Sequence, residues 1–420
     1  MKKILLTIVL SIAAANTVGA SDTAQIPESK IIESNFQNLN LQQFNFSAFG
    51  TPLVLATSQS RIFVSGRNTN KIHVLKFENE NLFEEKMLVL PKLSIENESS
   101  RQYILDLKYD NNKLFVSFMS YNSNINFCDR LVVLEFSLRQ ESIIGTRTVF
   151  LSTPCISQPE SPGWTDAAGR IETDGTFLYI SGGMILNDLY SNSYPHPRVK
   201  IFPVQPSTFL KAEKSTNIFG AIAKVNLKTL LSEKLAKGLR GPQGLLWDSS
   251  RKILWETEHG PRGGDELNII KPKFNYGWPF VTLGRPYAKQ NLQGENFFKT
   301  IYGKHPGYTP PVFSWSPSIG VSQLALIPQN SNFDKNLQGN LLVSSLKDQS
   351  LYSLKLGLNP GDKVLRILYS ERIYIGHRIR DVEIFHGKIV LSTDSGEIIL
   401  LDGSSGDLEG AFPPVVLPNP

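Results

Sequence analysis

The sequence predicts an all-β protein, a six-bladed β-propeller of four-stranded antiparallel blades. A short pattern of apolar or aromatic residues followed by a small hydroxyl residue recurs six times along the 420 residues. Each copy has another strand-like run before it and after it, with turns rich in Asn, Asp, Gly and Ser between them. Long amphipathic helical stretches are absent. Three or four short strands repeated every roughly 65 residues fit a propeller blade better than a sandwich or a solenoid.

The repeated pattern identifies the second strand of each blade, and the flanking runs identify the first and the third. The second strands are predicted at residues 62–65, 114–117, 178–181, 254–257, 341–344 and 389–392. The first strands are predicted at residues 53–57, 104–109, 169–173, 244–247, 323–327 and 379–384. The third strands are predicted at residues 72–77, 131–136, 221–227, 267–270, 351–356 and 398–401.

Closure of the ring and two insertions complete this prediction. The N-terminal run near Lys30 to Glu33 is expected to complete the last blade and close the ring. The copies are unevenly spaced, and the additional residues fall in insertions from Met184 to Phe219 and from Gly284 to Trp315. Such insertions are expected to form surface loops that wall a site at one end of the central channel.

The N-terminal residues 1–20 have the features of a secretory signal peptide. Lys2 and Lys3 precede an apolar run, and Val18-Gly19-Ala20 forms a small-residue cleavage site. The apolar run is too short to span a bilayer, which argues against a membrane anchor. We therefore expect an exported protein, periplasmic or secreted, without a membrane span.

The rest of the chain is predicted to form one propeller domain over residues 21–410, followed by a Pro-rich tail over 411–420. Cys128 and Cys155 either form a disulfide, as an oxidising compartment permits, or remain two unpaired thiols. Two cysteines exclude a zinc ribbon and a disulfide-rich scaffold. The formal net charge of +5 is too small to predict nucleic-acid binding, and the oligomeric state is left open.

The densest polar stretch runs from Arg240 to Pro279. It predicts a strand, a Gly-rich loop and another strand, and the glycines let backbone carbonyls approach a ligand closely. Asp265 and Glu266 add carboxylate oxygens, so the donor set suits Ca²⁺ better than a transition metal. A tight turn solvated by its own charges is the alternative.

A second group of residues is cationic. Arg378 and Arg380 alternate on one predicted strand and share a face, while Lys347 and Arg240 fall near equivalent blade ends. Paired guanidinium groups suit a ligand with several carboxylates. The alternative is a local salt bridge of both arginines with Asp381.

These motifs closely resemble the soluble PQQ-dependent aldose sugar dehydrogenases of the glucose/sorbosone dehydrogenase family. The resemblance extends from about Thr51 to Leu401 and is most specific between Arg240 and Pro279. The motifs that carry it are Gly-Pro-Gln-Gly at 241–244, Glu-His-Gly-Pro-Arg-Gly-Gly-Asp-Glu-Leu-Asn at 258–268, Asn-Tyr-Gly-Trp-Pro at 275–279, Ser-Trp-Ser-Pro-Ser-Ile at 314–319, Leu-Lys at 346–347 and Arg-Ile-Arg-Asp-Val at 378–382.

The resemblance implies a six-bladed propeller and a pyrroloquinoline quinone (PQQ) cofactor with three carboxylates over one end of the channel. It implies that an aldose is oxidised to a lactone and that electrons pass to an acceptor. It further implies that the cofactor is held by Lys347, Arg378, Arg380 and Arg240 and contacted by Gln243 and Trp315. The resemblance also implies that the carbonyls of Gly260 and Pro261 bind Ca²⁺. A second, structural Ca²⁺ would be bound by Glu266 and the backbone of Tyr276.

The sequence departs from this family at the catalytic base. The enzymes carry a His that accepts the proton of the anomeric hydroxyl, four residues before the Arg of a Gly-Arg pair; here that position is Asp166, upstream of Gly169-Arg170. The family also has an Asn beside the cofactor, between the positions of Arg240 and Pro242, and this position is Gly241 here. Either Asp166 acts as the base, or His196 in the first insertion substitutes for it, or oxidation of sugars is lost while binding remains.

The function expected from the sequence is therefore that of a PQQ- and Ca²⁺-dependent sugar dehydrogenase-like quinoprotein. One alternative is a non-catalytic propeller that binds a carbohydrate or a protein partner. Another is a different enzyme on the same scaffold, such as a lactonase that uses Ca²⁺ and Asp166.

Overall fold

The structure, a computed structural model, is almost entirely β. It describes residues 25, 27–32, 34–90, 94–95, 98–99, 101–121, 128–152, 156–157, 168–183, 218, 220–285, 301–358 and 365–403. In this part of the chain the sole helical element is a 3₁₀ turn at Ser47–Phe49. No helical segment there has the length and apolarity needed to cross a bilayer.

The first three blades follow one another along the chain. Two strands precede them, β1 (Glu28–Ile32) and β2 (Leu39–Asn45). Blade 1 contains β3 (Leu53–Thr57), β4 (Ile62–Gly66), β5 (Lys71–Glu78) and β6 (Asn81–Val89), and the hairpin β7 (Ser94–Ile95) and β8 (Glu98–Ser99) follows. Blade 2 contains β9 (Arg101–Asp110), β10 (Lys113–Tyr121), β11 (Cys128–Arg139) and β12 (Ser142–Leu151), with β13 (Ile156–Ser157) paired to β11. Blade 3 contains β14 (Ala168–Thr173), β15 (Phe177–Gly182), β16 (Ala221–Asn226) and β17 (Ser232–Lys237).

The last three blades include the second insertion and the N-terminal strands. Blade 4 contains β18 (Pro242–Asp248), β19 (Ile253–Glu258), β20 (Asp265–Ile270) and, after the parallel pair β21 (Val281–Thr282) and β22 (Ile301–Tyr302), β23 (Phe313–Trp315). Blade 5 contains β24 (Val321–Leu326), β25 (Leu341–Ser345), β26 (Ser350–Leu358) and β27 (Leu365–Tyr374). Blade 6 contains β28 (Ile379–Phe385), β29 (Lys388–Thr393) and β30 (Glu397–Gly403), extended by β2 and β1.

The predicted six-bladed propeller is confirmed. The first strands form a closed ring in which neighbours contact each other, β3 with β9, β9 with β14, β14 with β18, β18 with β24, β24 with β28 and β28 with β3. Every blade is antiparallel along its main strand order. Each of the six apolar core clusters lies between two neighbouring blades, so burial between blades stabilises the ring.

The hydroxyl residue that ends the repeated pattern has a structural role. Its side chain is fully buried in every blade, and in several blades it donates a hydrogen bond to the first strand of the next blade. Ser117 Oγ donates to the carbonyl of Gly169, Thr257 Oγ1 to that of Ser322 and Ser392 Oγ to that of Leu53. A small hydroxyl therefore satisfies a buried backbone carbonyl where two blades meet.

The strand that closes the ring differs from the prediction. β2 pairs with β30, and the predicted run near Lys30 forms part of β1, the outermost and fifth strand of blade 6. β1 is mostly exposed, whereas Leu39, Leu41 and Phe44 of β2 are buried. These three side chains of β2 pack into the apolar clusters between blades, so β2 lies beside the core and β1 outside it.

Several predictions fall outside the described residues. They include the signal peptide at 1–20, the tail at 411–420 and nearly all of the first insertion. Cys155 is also outside them, so its bridge to Cys128 stays a prediction.

Candidate functional site

The predicted cofactor contacts lie at one end of the propeller. In an antiparallel blade the first strand begins where the second strand ends, so residues at these positions share one end of the channel. We call this end the site face. The residues that define it are Arg240 and Gln243 at the start of β18, Trp315 at the end of β23, Lys347 after β25, and Arg378 and Arg380 at the start of β28.

A glycine loop between β19 and β20 shapes part of the site face. Gly263 and Gly264 have positive φ angles of 81° and 72°. A Cβ on Gly260 would lie 2.1 Å from the carbonyl oxygen of Gly264, so a side chain there would collide with the backbone. The loop therefore requires glycine to bring its backbone groups together.

Asp265 holds this loop against the neighbouring blade. Its Oδ1 accepts a hydrogen bond from the Gly260 N–H at 3.1 Å, and its Oδ2 accepts from the Gly320 N–H at 2.7 Å and the Val321 N–H at 3.3 Å. The carboxylate that the sequence suggested as a metal ligand is thus bonded to three backbone amides in this structure.

Arg240 lies against the predicted calcium loop. Its Nη1 donates hydrogen bonds to the carbonyls of His259 and Gly260, each at 2.9 Å. Its backbone N–H donates to Glu258 Oε2 at 2.5 Å, which fixes the start of β18 on the end of β19. Arg240 and the carbonyl of Gly260 therefore form one group, as the cofactor hypothesis requires.

Lys347, Arg378 and Arg380 lie next to one another where blades 5 and 6 meet. Arg378 Nε and Arg380 Nε donate to the two oxygens of Asp394 at 2.8 Å and 2.9 Å. Arg378 Nη1 reaches the carbonyl of Leu346, the residue before Lys347, at 3.5 Å. The carboxylate that joins the arginines is Asp394, which lies in none of the sequence motifs, rather than Asp381.

Asp381 instead belongs to a buried network on the propeller axis. Arg170 of β14 donates from Nη1 to Asp106 at 2.8 Å and to Asp381 at 3.2 Å, and from Nε to the carbonyl of Gln243 at 2.7 Å. Its Nη2 donates to the carbonyl of Arg380 at 2.7 Å. One side chain thus connects first strands of four blades directly beneath the site face.

The charges in this axial network perturb one another. Burial opposes the charge of Arg170, but Asp381 and Asp106 outweigh it and raise its pKa above the usual value. Burial raises the pKa of Asp106 to about 7, although Arg170 acts in the opposite direction. One layer further along the axis, Lys108 bonds Glu172 at 2.9 Å, and burial raises the pKa of Glu383 to about 7.

A second buried polar group lies inside blade 4 beside the predicted structural calcium site. Glu266 contacts His305 Nε2 at 3.3 Å, and Asn268 Nδ2 donates to Glu256 at 3.1 Å. Burial, reinforced by the neighbouring carboxylates, raises the pKa of Glu256 and Glu258 well above the usual range. Within the described ranges no three His, Cys, Asp or Glu side chains surround a point that suits a metal ion. The ligands at Glu266 and Tyr276 stay a prediction.

Of the remaining predicted site residues, two are buried near the site face and two lie outside the described residues. Trp315 is buried, meets Phe313 and Tyr352 edge-on, and has an indole Nε1 without a hydrogen-bond partner. Gln243 is buried and supplies its carbonyl to Arg170. The two candidate bases, Asp166 and His196, lie outside the described residues.

Comparison with known proteins gives a consistent result. A family model for glucose/sorbosone dehydrogenase matches residues 51–401. The chain is 37% identical over 177 residues to an aldose sugar dehydrogenase of Escherichia coli, a match covering 41% of this chain and 41% of that protein. The match therefore spans about two fifths of the length of this curated relative.

Solved structures share the fold. A soluble aldose sugar dehydrogenase of Escherichia coli in its apo form has a TM-score of 0.63 and 22% identity, over 88% of this chain and 100% of that chain. The PQQ-bound form of an aldose sugar dehydrogenase of Streptomyces coelicolor has a TM-score of 0.56 and 18% identity, over 92% of this chain and 100% of that chain.

Proposed function

The chain belongs to the glucose/sorbosone dehydrogenase family, and we propose that it is a PQQ- and Ca²⁺-dependent quinoprotein that oxidises an aldose to a lactone. The observation that supports this proposal most directly is the row of cations on the site face. Arg378 and Arg380 share a single carboxylate, Asp394, and Lys347 makes no ion pair with any carboxylate of the described residues. Such an excess of positive charge suits a ligand with several carboxylates.

The residues of the site face fit the cofactor. Lys347, Arg378 and Arg380 would bind its carboxylates, and the exposure of Lys347 and Arg378 leaves their charged groups accessible. The carbonyls of Gly260 and Pro261 would hold Ca²⁺, because a hard cation with oxygen ligands accepts backbone carbonyls. Trp315 would lie against the ring system, as the resemblance implies.

The bound cofactor would supply a quinone that accepts a hydride from the sugar, with Ca²⁺ as its electrophilic partner. The contributions of the protein are orientation and proton transfer. Arg240 would orient the calcium loop through its bonds to His259 and Gly260. The carboxylate of Asp166 would accept the proton of the anomeric hydroxyl. Because a carboxylate is in general a weaker base than imidazole at neutral pH, sugar oxidation would be slower than with a His at this position.

A titration of the Ca²⁺-loaded protein with PQQ tests the cofactor assignment. We expect saturable binding, followed by absorbance and thermal shift, and loss of roughly tenfold or more in affinity for Lys347→Ala because a charge-assisted contact is removed. Lys355→Ala is the matched control, since this lysine of the same blade bonds the backbone of Asn336 instead. Absence of PQQ binding to the unsubstituted protein would refute the proposal.

The catalytic base is tested by Asp166→His. We expect this variant to reduce a dye acceptor with an aldose faster than the unsubstituted protein at neutral pH, because imidazole has the better-matched pKa. Dye reduction that is lost in His196→Ala and kept in Asp166→Ala would instead assign the base to His196. Tight PQQ binding without turnover in the unsubstituted protein and in all three variants would favour the non-catalytic binding function.

A further inference from the structure

Arg67 is a buried cation on the site face that the sequence motifs did not include. It follows β4, and only 6% of the residue is exposed. Its backbone N–H donates to the carbonyl of Pro52 and its carbonyl accepts from the Ile104 N–H, so its backbone is fixed between blades 1 and 2. Because the residue is almost fully buried, its guanidinium has little freedom to swing into solvent.

The guanidinium of Arg67 lacks a counter-charge in the described structure. Its carbon lies 5.6 Å from the centre of the Tyr103 ring, and its Nη1 reaches the Tyr103 hydroxyl at 3.5 Å. Its Nε is buried and has no hydrogen-bond partner. Among the described residues no carboxylate forms an ion pair with it. A buried guanidinium in this state pays a desolvation cost that an anion would relieve.

Arg67 also lies close enough to Arg380 to affect its charge. Burial, and next the positive charge of Arg67, lower the pKa of Arg380 to about 10. Among the residues that the structure describes, Asp394 is the one carboxylate bonded to Arg380, and it is already shared with Arg378. Two neighbouring guanidinium groups thus leave net positive charge on the blade 1 side of the site face.

Arg67 lies near Arg380, but its side chain contacts a different blade from that of Arg378. Arg378 faces blade 5 through its contact with the carbonyl of Leu346. Arg67 faces Tyr103 of blade 2. Three cations are already assigned to the three carboxylates of the cofactor, and Arg240 to the calcium loop, so Arg67 is available to a second anionic ligand.

We propose that Arg67 binds a carboxylate of the sugar, so that the preferred substrate is an acidic aldose such as a uronic acid. This inference rests on the proposed function of the same site face. The guanidinium fork provides the planar donors that suit a carboxylate, and Tyr103 adds a hydroxyl beside it. A neutral aldose would leave the charge of Arg67 uncompensated.

The test measures binding of glucuronate, galacturonate and glucose to the Ca²⁺-loaded protein with and without PQQ, by calorimetry and thermal shift. We expect both uronates to bind more tightly than glucose. We expect Arg67→Gln to weaken uronate binding by roughly tenfold or more while glucose and PQQ affinities change little, because one charge-assisted contact is removed. Arg67→Lys is expected to recover part of the uronate affinity.

Arg61→Gln is the matched control. Arg61 precedes the same strand at its opposite end and pairs with Glu85, so its substitution removes a positive charge far from the site face. Thermal unfolding of all variants separates lost folding from lost binding, and Arg67→Lys keeps the test informative if Arg67→Gln is unstable.

The outcomes distinguish this inference from the proposed function. Uronate binding that depends on Arg67 supports the inference even if PQQ does not bind, an outcome that would refute the cofactor alone. PQQ binding with equal affinities for uronates and glucose would overturn the inference and leave the cofactor proposal intact. A loss of PQQ affinity in Arg67→Gln without an effect on uronates would assign Arg67 to the cofactor and also overturn it.

Discussion

Asp394 shows how a single carboxylate organises the cations of the site face. It accepts hydrogen bonds from both Arg378 and Arg380, and the side chain of Arg380 is only 11% exposed. Burial opposes the charge of Asp394, but Arg380 and Arg378 outweigh it and lower its pKa below the usual range. The two arginines therefore depend on Asp394 for their position when no anionic ligand is present.

Replacing Asp394 by Asn is expected to destabilise the protein by about 1–3 kcal/mol, since a buried guanidinium loses its charged partner. PQQ is expected to stabilise this variant more than the unsubstituted protein, because its carboxylates replace the missing charge. Denaturant unfolding with and without PQQ measures both effects. Glu85→Gln, which breaks the more exposed pair with Arg61, is the control and is expected to cost under about 1 kcal/mol. Equal stability of Asp394→Asn and the unsubstituted protein would contradict this account.

The axial carboxyl groups predict a pH dependence of stability. Burial, opposed by Lys108, raises the pKa of Glu383 to about 7. The folded protein then holds a proton that the unfolded chain has released above about pH 4.5, so this group makes stability fall as the pH rises towards about 7.

In Glu383→Gln the free energy of unfolding is expected to fall by roughly 1–3 kcal/mol less between about pH 4.5 and pH 7, because an amide mimics the protonated acid at every pH. The measurement is the free energy of unfolding at intervals between about pH 4.5 and pH 8. Glu233→Gln, whose side chain is 67% exposed, is the control and should leave the profile unchanged. An unaltered slope in Glu383→Gln would show that Glu383 titrates normally.

Among the structural elements, each blade is built from residues that are close in sequence, and contacts with the neighbouring blades fix its side chains and loops. The pattern of apolar residues and a hydroxyl makes the second strand, and the hydroxyl then bonds the next blade. The loop between β19 and β20 is likewise local in sequence, but Asp265 fixes it through amides of blade 5. The loop therefore keeps its shape only when blades 4 and 5 are together.

Gly264→Ala tests the need for close approach in this loop. A Cβ at this position would lie 2.4 Å from the backbone nitrogen of Gly284, so we expect the loop to shift and the affinity for Ca²⁺ to fall. Gly303→Ala is a matched control, since its φ of 73° equals that of Gly264 within a degree but a Cβ would meet nothing within 4 Å. The control is expected to cost about 1–2 kcal/mol from the left-handed backbone alone. Denaturant unfolding and Ca²⁺ titrations measure the stability and the Ca²⁺ affinity of both variants. An equal loss of stability in the two variants would contradict the collision.

At the scale of the whole molecule, Arg170 joins parts of the chain that are distant in sequence. It bonds Asp106 and Asp381 at once, and both carboxylates are almost fully buried. The same side chain holds the carbonyls of Gln243 and Arg380. The axis of the propeller is therefore filled by a charged network that also supports the site face from below.

Replacing Arg170 by Met is expected to destabilise the protein by about 3–5 kcal/mol, because two buried carboxylates lose their cation. Adding Asp106→Asn and Asp381→Asn to this variant is expected to restore much of the loss, since the uncompensated charges are then removed as well. Chemical unfolding of the single and triple variants measures the difference. A triple variant less stable than Arg170→Met would contradict the electrostatic explanation.

The sequence predicted the blades well because each of their strands is encoded locally. Apolar periodicity, a hydroxyl residue and turn residues within a few positions are enough to identify a strand. The closing strand was misplaced, because β1 and β2 both have apolar residues and only packing against β30 distinguishes them. The motif between Arg240 and Pro279 likewise identified the family from contiguous residues.

The six-bladed architecture, the family and the cationic residues near Lys347 and Arg378 can all be recognised from the order of the amino acids. Which charged side chains meet depends on the folded ring. Arg170 pairs with Asp381, which is far from it along the chain. Arg378 and Arg380 pair with Asp394, although Asp381 is closer to them in sequence. Arg67 lies in none of the sequence motifs. Ion pairs depend on distances between side chains of different blades, and these distances exist only after the ring has closed.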